Sequence, residues 1–488
     1  MVICKFFYFF KSEKNIKKII FKIDDMDYDL IVIGSGPGGY VAAIRAAQLK
    51  MRVAVVEKSE LGGICLNWGC IPTKSLLKSA QVYKYVQYAS EYGMSLKGEA
   101  KPDFQAIIAR SRAVAQSMSK GINFLFRKNG IEHIKGFGRL LRAGEVEVTS
   151  DAGEKKIYKA SKIILATGAR SKELPGLKQD GKKIIGYREA MSLSRQPDSM
   201  IIVGSGAIGS EFAYFYQTLG TSVTLVEMMP SVVPAEDEEV SKLLEKSFRK
   251  MKMKILTGST VEKAEISDDK CKITVKTSSG NEVLEADIIF SAAGVAPNIE
   301  GIGLEEAGLK TDKGKILVDE FYRTTVKDIY AIGDIVPGPA LAHVASAEGI
   351  ICVEKMAGLS PEPLDYNNIP SCIYTNPEIA SCGLTEKAAI EKGYEIKVGR
   401  FPFTASGKAN AAGARDGFVK LIFDAKYGEI LGAHMIGANV TEMISEIVVA
   451  RKLEATAHEL IKSVHPHPTM SEAIMEAAAA AYGVSVNI

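Results

Sequence analysis

Tryptophan occurs once in the 488 residues, at Trp68, and cysteine only seven times. A disulfide-built scaffold of this length would need more cysteine, and an odd number cannot all pair, so a reducing, cytoplasmic setting is expected. No uninterrupted apolar stretch approaches the roughly 18 residues of a membrane span. Net charge is also small: 61 Lys and Arg against 58 Asp and Glu leave +3. That is too little for a basic nucleic-acid footprint, so neither DNA nor an anionic membrane is an expected partner. Histidine is rare, with six, and no Cys/His set has zinc-finger spacing, so no metal site is expected. What remains, 47% apolar and 24% charged residues, is the balance of an ordinary soluble globular protein. At roughly 150 residues per domain it should hold about three domains.

Residues 1–25 stand apart. KFFYFF is too short for a secretory apolar region, and a segment without Arg that carries Glu13, Asp24 and Asp25 does not read as a transit peptide. Met26 directly precedes the first strand pattern, DYDLIVIG. It is the expected start, with 1–25 an upstream misreading or a disordered tail.

An internal repeat follows. The run IVIGSGPGGYVAAIRAAQLKMRVAVVE at 31–57 reads strand, Gly-rich turn, helix, strand, and IIVGSGAIGSEFAYFYQTLGTSVTLVE at 201–227 reads the same way. Gly34, Gly36, Gly39 and Glu57 recur 170 residues later as Gly204, Gly206, Gly209 and Glu227. Each copy fits G-x-G-x-x-G between a strand and a helix. The glycines let the backbone approach a pyrophosphate that the helix N-terminus attracts, and the acid ending the second strand accepts from a ribose hydroxyl. One such motif is weak evidence, because glycine turns also serve packing; two with the acid in place are not. Glu227 would repel a 2′-phosphate and no Arg is nearby, so the second nucleotide is expected to be NAD rather than NADP. From about residue 365 onward short strands such as FVKLIFD and EILGAHMIG precede helices without a phosphate loop. This is an α+β block with another task.

Two dinucleotide sites suggest a permanently held flavin and a transient nicotinamide. The segment GGICLNWGCIPTK at 62–74 supplies a target for their electrons. Cys65 and Cys70 are close in sequence, and Pro72 suits the first turn of a helix whose N-terminus would favour a thiolate at Cys70. As a staple, so short a loop gives only about 2 kcal/mol. A redox pair is the better reading, and its thiol exchange calls for a base. In His465-Pro466-His467-Pro468-Thr469-Met470-Ser471-Glu472 the prolines fix the backbone around both imidazoles. Glu472 either orients one of them or closes a capping box with Thr469; local sequence leaves both open.

Together GGICLNWGCIPTK, the two glycine units, LATG at 165–168, YAIGD at 330–334 and HPHPTMSE resemble the flavin disulfide reductases, the class I pyridine nucleotide-disulfide oxidoreductases. Among them the dihydrolipoamide-oxidising family is nearest, from about residue 27 to the C-terminus. The resemblance implies an α/β fold of two Rossmann-like domains, FAD-binding in 26–165 and 292–365 and NAD-binding in 166–291. A C-terminal α+β dimerisation domain would cover 366–488. It implies that Cys65 exchanges with substrate, that Cys70 faces the flavin as a charge-transfer thiolate, and that His467 is the base oriented by Glu472. Lys74 and Glu211 would be the ion pair beside the isoalloxazine. Asp334 would hold the ribityl chain and Gly138 contact adenine. Thr167, Gly168, Ala342 and His343 would complete the FAD site; Glu211 and Gly294 are also expected near NAD.

In that family the base comes from the opposite subunit, so a homodimer is implied. The further partners would be lipoyl domains of 2-oxoacid dehydrogenase complexes or of the glycine cleavage H protein. Val295 and Trp68 depart from the family, which usually has Arg and often Val there. Cys4, Cys271, Cys352, Cys372 and Cys382 match no motif and are expected unpaired. The alternatives are a glutathione-type NAD(P)H-disulfide reductase, disfavoured by Glu227, and a flavin-retaining scaffold, disfavoured by the intact Cys65, Cys70, His467 and Glu472.

Overall fold

The computed structural model describes residues 26–267 and 270–488. The expected extension 1–25, with Cys4, lies outside them. The described chain divides into two compact units. One holds the chain up to Asn67 with Ala115–Arg170 and Pro297–Leu364; the other holds Trp68–Val114, Ser171–Ala296 and Asp365–Ile488.

The apolar run VAVVE is buried throughout, as strands covered on both faces of a parallel sheet must be. In the first unit the parallel strands lie in the order Glu132–Lys135, Val53–Glu57, Tyr28–Ile33, Lys155–Leu165 and Ile329–Ala331. Lys155–Leu165 also pairs antiparallel with Glu145–Thr149, which pairs with Phe137–Arg142. Ile31, Ile33, Val56, Ile163, Leu165 and Ile329 form the core of this sheet. Helix Pro37–Gln48 meets helix Ala342–Met356 through small residues: a methyl on Gly349 would come 2.8 Å from Gly38 O.

The second unit repeats that order over four strands, Lys254–Leu256, Ser222–Val226, Ser199–Val203 and Ile288–Ser291; the fifth place goes to Ile184–Ile185, which precedes the other four in the chain where Ile329–Ala331 follows its own, and all are parallel. In both units three antiparallel strands precede or include the fourth strand; here they are Thr260–Ile266, Cys271–Thr277 and Gly280–Ala286. The repeat visible over 27 residues thus extends to the topology of both halves. Helix Ala207–Leu219 is apolar on most faces and correspondingly buried; it ends at Gly220, whose φ of 105° closes the helix. Helix Glu238–Lys250 is capped by Asp237, which accepts from Glu239 N–H at 3.1 Å.

The same unit contains an antiparallel sheet in the order Ser371–Ile373, Glu378–Gly383, Ile430–Gly437, Phe418–Asp424, Ile396–Pro402. Helices Val440–Lys452, Ala457–Lys462 and Glu472–Ala481 pack on it through Ile444, Ile447, Leu460, Ile474 and Ala477. Lys420 is only 2% exposed there and lies 2.7–2.8 Å from carboxylate oxygens of Asp237, Glu239 and Glu386. The fold is the mixed α/β arrangement expected, with an α+β C-terminal block. No helix among the described residues is long and apolar enough to cross a membrane.

Candidate functional site

The two glycine turns are near copies. Gly34 and Gly204 have φ of 104° and 102°. A methyl on Gly39 would lie 2.0 Å from Gly34 O, and one on Gly209 1.9 Å from Gly204 O. These glycines let the helix start against the strand. Gly36 and Gly206 differ, because a methyl on either would meet nothing within 4 Å. Each begins a helix without a side-chain cap, which leaves uncapped N–H groups at an open surface.

The acids do more than sequence suggested. Glu57 Oε2 accepts from Ser35 N–H and Oγ–H at 2.9 and 2.8 Å, while Oε1 accepts from Ser59 N–H at 2.9 Å. Glu227 does the same with Ser205 N–H and Oγ–H at 2.8 and 2.7 Å and Met229 N–H at 2.8 Å. A carboxylate offers about four lone-pair directions. Three are used in each copy, which leaves room for one ribose hydroxyl.

Cys65 and Cys70 are joined in a disulfide. Cys65 lies in helix Gly63–Trp68, and Cys70 is the first residue of helix Cys70–Gln87. That helix has no acid in its first turn, so its N-terminus favours a thiolate once the bond is reduced. Asn67, 2% exposed, ties the segment down by donating to Leu61 O and Gly63 O at 2.9 and 3.0 Å. Ser111 Oγ–H holds the helix start through Pro72 O at 3.0 Å. Trp68 makes cation–π contacts with Arg112 and Arg188, whose guanidinium carbons lie 3.9 and 5.3 Å from its ring centre. Asn67 stands inside GGICLNWGCIPTK, but its role depends on the carbonyls it reaches in the folded turn; both arginines lie far along the chain with no motif around them.

One turn further on, Lys74 Nζ sits 2.9 Å from both oxygens of Glu211, which is buried. Tyr374 completes the arrangement: its N–H donates to Glu211 Oε1 at 3.0 Å, and Lys74 Nζ lies 4.3 Å from its ring centre.

The remaining expected cofactor residues occupy definite places. Thr167 Oγ–H donates to Asn298 O at 2.6 Å, and Asn298 N–H donates to Gly168 O at 2.8 Å, so this turn is stapled to 298. Gly138 lies under Ile33 and Val56, whose carbons would be 3.0 Å from an added methyl. Gly294 has φ of 99° and open space around it. Ala342 and His343 open a helix that has no side-chain cap. Asp334 is mostly buried, which pushes its carboxyl up, with Lys315 offsetting; the carboxyl accepts no hydrogen bond among the described residues. Val295 is partly exposed.

At the other end of the chain His467 is 77% exposed, with Nδ1 2.8 Å from Glu472 Oε1. A carboxylate only accepts, so Nδ1 carries a proton, and in the neutral imidazole that tautomer puts the lone pair on Nε2. Glu472 Oε2 accepts from Thr469 N–H at 2.8 Å, while Thr469 Oγ–H donates to Pro466 O at 2.8 Å. Orienting the imidazole and the reach-back half of a capping box are therefore both present. Burial works against ionisation of Glu472, but Thr469 N–H and His467 outweigh it and hold the carboxyl below its usual range. His465 is different. Nε2 lies 2.8 Å from Glu446 and Nδ1 3.0 Å from Ser463 O, so both nitrogens are engaged, and Glu446 raises its pKa.

Cys271, Cys352, Cys372 and Cys382 are unpaired, and all but Cys372 are buried. Burial pushes the Cys372 thiol up to about 11, which keeps it protonated and inert.

Residues 28–349 match the family described as pyridine nucleotide-disulphide oxidoreductase, and 369–478 match the dimerisation domain of that family. A dihydrolipoyl dehydrogenase of Rhizobium etli is 48% identical over 477 residues, covering 94% of this chain and 99% of that protein. One from Zymomonas mobilis is 49% identical over 460 residues, covering 93% and 98%. Among solved structures, LpdA from Mycobacterium tuberculosis superposes with a TM-score of 0.86 at 28% identity, covering 92% of this chain and 98% of that one. The chain belongs to the pyridine nucleotide-disulphide oxidoreductase family, alongside its dihydrolipoyl dehydrogenases.

Proposed function

We propose that the protein is a dihydrolipoyl dehydrogenase that oxidises protein-bound dihydrolipoamide to lipoamide and reduces NAD⁺. The observation that carries this reading is the Cys65–Cys70 disulfide at the N-terminus of helix Cys70–Gln87. FAD and NAD fit the residues present. Gly36 and Gly206 leave open approaches to uncapped helix starts, Glu57 and Glu227 each retain one acceptor direction, and the Asp334 carboxyl accepts no hydrogen bond among the described residues. We assign 26–165 and 292–365 to FAD, 166–291 to NAD and 366–488 to the dimer interface. The repeated strand order and the matched dimerisation domain support this division.

When bound, FAD supplies a two-electron relay between the active-site dithiol and NAD⁺. The chain's own work is thiol exchange. His467 Nε2 takes the proton of a lipoyl thiol while Glu472 holds Nδ1–H and stabilises the charge. The lipoyl thiolate attacks Cys65 Sγ, a mixed disulfide forms, and the Cys65–Cys70 bond breaks to leave a Cys70 thiolate at the helix N-terminus. The second lipoyl sulfur attacks the first and breaks the mixed disulfide, its proton passing to the departing Cys65 sulfur, so that lipoamide is released and Cys65 is left as a thiol. The pair ends two electrons richer and the lipoyl dithiol two poorer. The Lys74–Glu211 pair would fix a cation beside the flavin.

Because His467 is exposed on its own chain, we place it opposite the disulfide of a second copy. Lipoyl domains of 2-oxoacid dehydrogenase complexes or of the glycine cleavage H protein are the proposed partners, and a reducing cytoplasm the compartment, which the four unpaired thiols support. The test is turnover of dihydrolipoamide with NAD⁺ by the FAD-loaded protein. Faster reduction of glutathione disulfide by NADPH would reverse the assignment in favour of a glutathione-type reductase.

A further inference from the structure

The acid Glu236 belongs to no motif, yet it lies between two parts of the site. Three residues before it, Val233 is buried and has φ of 41°, a left-handed conformation that a β-branched residue adopts only under constraint. The constraint is visible. Val233 N–H donates to Ser205 O and Oγ at 3.2 and 3.3 Å, inside the second glycine turn. The first glycine turn has the same contact, with Gly62 N–H donating to Ser35 O and Oγ at 3.1 and 3.2 Å and a φ of 96° at Gly62. There the chain runs from the turn into Cys65. In the second copy it runs from Val233 to Glu236, whose N–H donates to Val233 O at 2.9 Å.

Glu236 faces a pair of serines. Ser371 Oγ is 3.5 Å from Glu236 Oε1, and Ser381 also meets the carboxyl, while Oε2 is buried without a hydrogen-bond partner among the described residues. Ser371 and Ser381 are opposite one another in the antiparallel pair Ser371–Ile373 and Glu378–Gly383, so both point to the face that Glu236 covers. The next residue after the first strand is Tyr374, whose N–H holds Glu211 and whose ring lies under Lys74. Three strand residues span about 10 Å. One end of this short ribbon is fixed by Glu236 and the other holds the Lys74–Glu211 pair.

We propose that Glu236 is a positioning residue for Lys74 and Glu211, and that the 233–236 turn makes this ion pair respond to dinucleotide in the second glycine turn. A dinucleotide that settles on the Ser205 turn acts on Val233, and through Glu236 on the serine pair and Tyr374. The inference deepens the proposed function and rests on its placement of Lys74 beside the flavin.

The test uses the FAD-loaded protein and ADP-ribose, which can fill the second turn but has no nicotinamide to react. In the wild type, ADP-ribose changes the visible flavin spectrum. In Glu236→Ala, and independently in the Ser371→Ala/Ser381→Ala double variant, ADP-ribose still binds but the spectral change is lost. Glu236→Gln, which keeps an oxygen and shape similar to the carboxyl, restores it. With NAD⁺ and dihydrolipoamide, Glu236→Ala lowers kcat about tenfold through misplacement of the pair and leaves the KM for NAD⁺ unchanged. A full spectral response in Glu236→Ala, or none in the wild type, overturns the proposal. Lys74→Met separates the two failures. An unchanged flavin spectrum in that variant removes the placement of Lys74; an altered one, with a full ADP-ribose response in Glu236→Ala, overturns the coupling alone.

Discussion

Replacing Gly206 with alanine separates what the second glycine turn does for the fold from what it does for a ligand. Gly206 has φ of −62° and ψ of −175°, open to every L residue, and an added methyl meets no atom within 4 Å. The cost to the fold is the weaker start of a helix that begins with alanine instead of glycine, about 0.5–1 kcal/mol. For a unit of this size that lowers Tm by about 1–4 °C. The open space is where a pyrophosphate would approach. A methyl there removes charge-assisted hydrogen bonds to backbone N–H groups, about 1.5–3 kcal/mol, or about 10- to 150-fold in affinity. Gly209→Ala is the contrast, because its methyl would lie 1.9 Å from Gly204 O, and it should unfold the turn itself. The assay is calorimetric titration with ADP-ribose, with FAD content and thermal unfolding recorded on the same samples. Gly206→Ala with unchanged ADP-ribose affinity would refute the reasoning, and so would a loss of Tm as large as that of Gly209→Ala.

Lys420→Met should destabilise the protein by about 3–5 kcal/mol, since buried Asp237 loses its cation partner, while the part-exposed Glu239 and Glu386 keep Arg400; equilibrium denaturation measures it, and a change under about 1 kcal/mol would contradict the buried-pair reading. The His465–Glu446 pair should make stability fall with rising pH. Glu446 raises the folded pKa of His465, so the contribution is complete below the unfolded value of about 6.5 and is lost as pH climbs through the folded value. Glu446→Gln should flatten that slope in Tm measured against pH. Glu472→Ala should cut dihydrolipoamide turnover about 100-fold or more, because His467 loses its fixed tautomer and orientation, with FAD content unchanged; turnover close to wild type would remove Glu472 from the mechanism.

What could be read from sequence and what could not divide along the distance over which a signal is written. The turn glycines, the acid at each strand end and the Cys65–Cys70 spacing are local patterns, because strand, turn and helix are continuous in the chain. Both roles stay open for Glu472 in the sequence for a physical reason: orienting His467 and binding Thr469 N–H use different oxygens of one carboxylate, so the two do not compete. The choice between His465 and His467 was not local. It depends on Glu446, which comes from helix Val440–Lys452 and accepts from His465 Nε2, while Ser463 O engages Nδ1, so that His465 has no nitrogen left to act as a base. The shared strand order of the two halves was hidden in the same way, since the strands at 132–135 and 254–256 fall outside the repeated sequence. Trp68 looked like a rarity beside the cysteines; its two arginines come from 44 and 120 residues further along and share no pattern with it. Lys420, in an apolar strand, gave no sign that it would meet Asp237, 183 residues away.

The central claim is that electrons from a lipoyl dithiol enter through the Cys65–Cys70 disulfide. The direct measurement is dihydrolipoamide-dependent NAD⁺ reduction by Cys70→Ser, prepared with FAD bound and followed anaerobically. The account predicts that FAD stays bound and turnover is abolished, because no disulfide remains for the lipoyl thiolate to open. Turnover at the wild-type rate in that variant would contradict it.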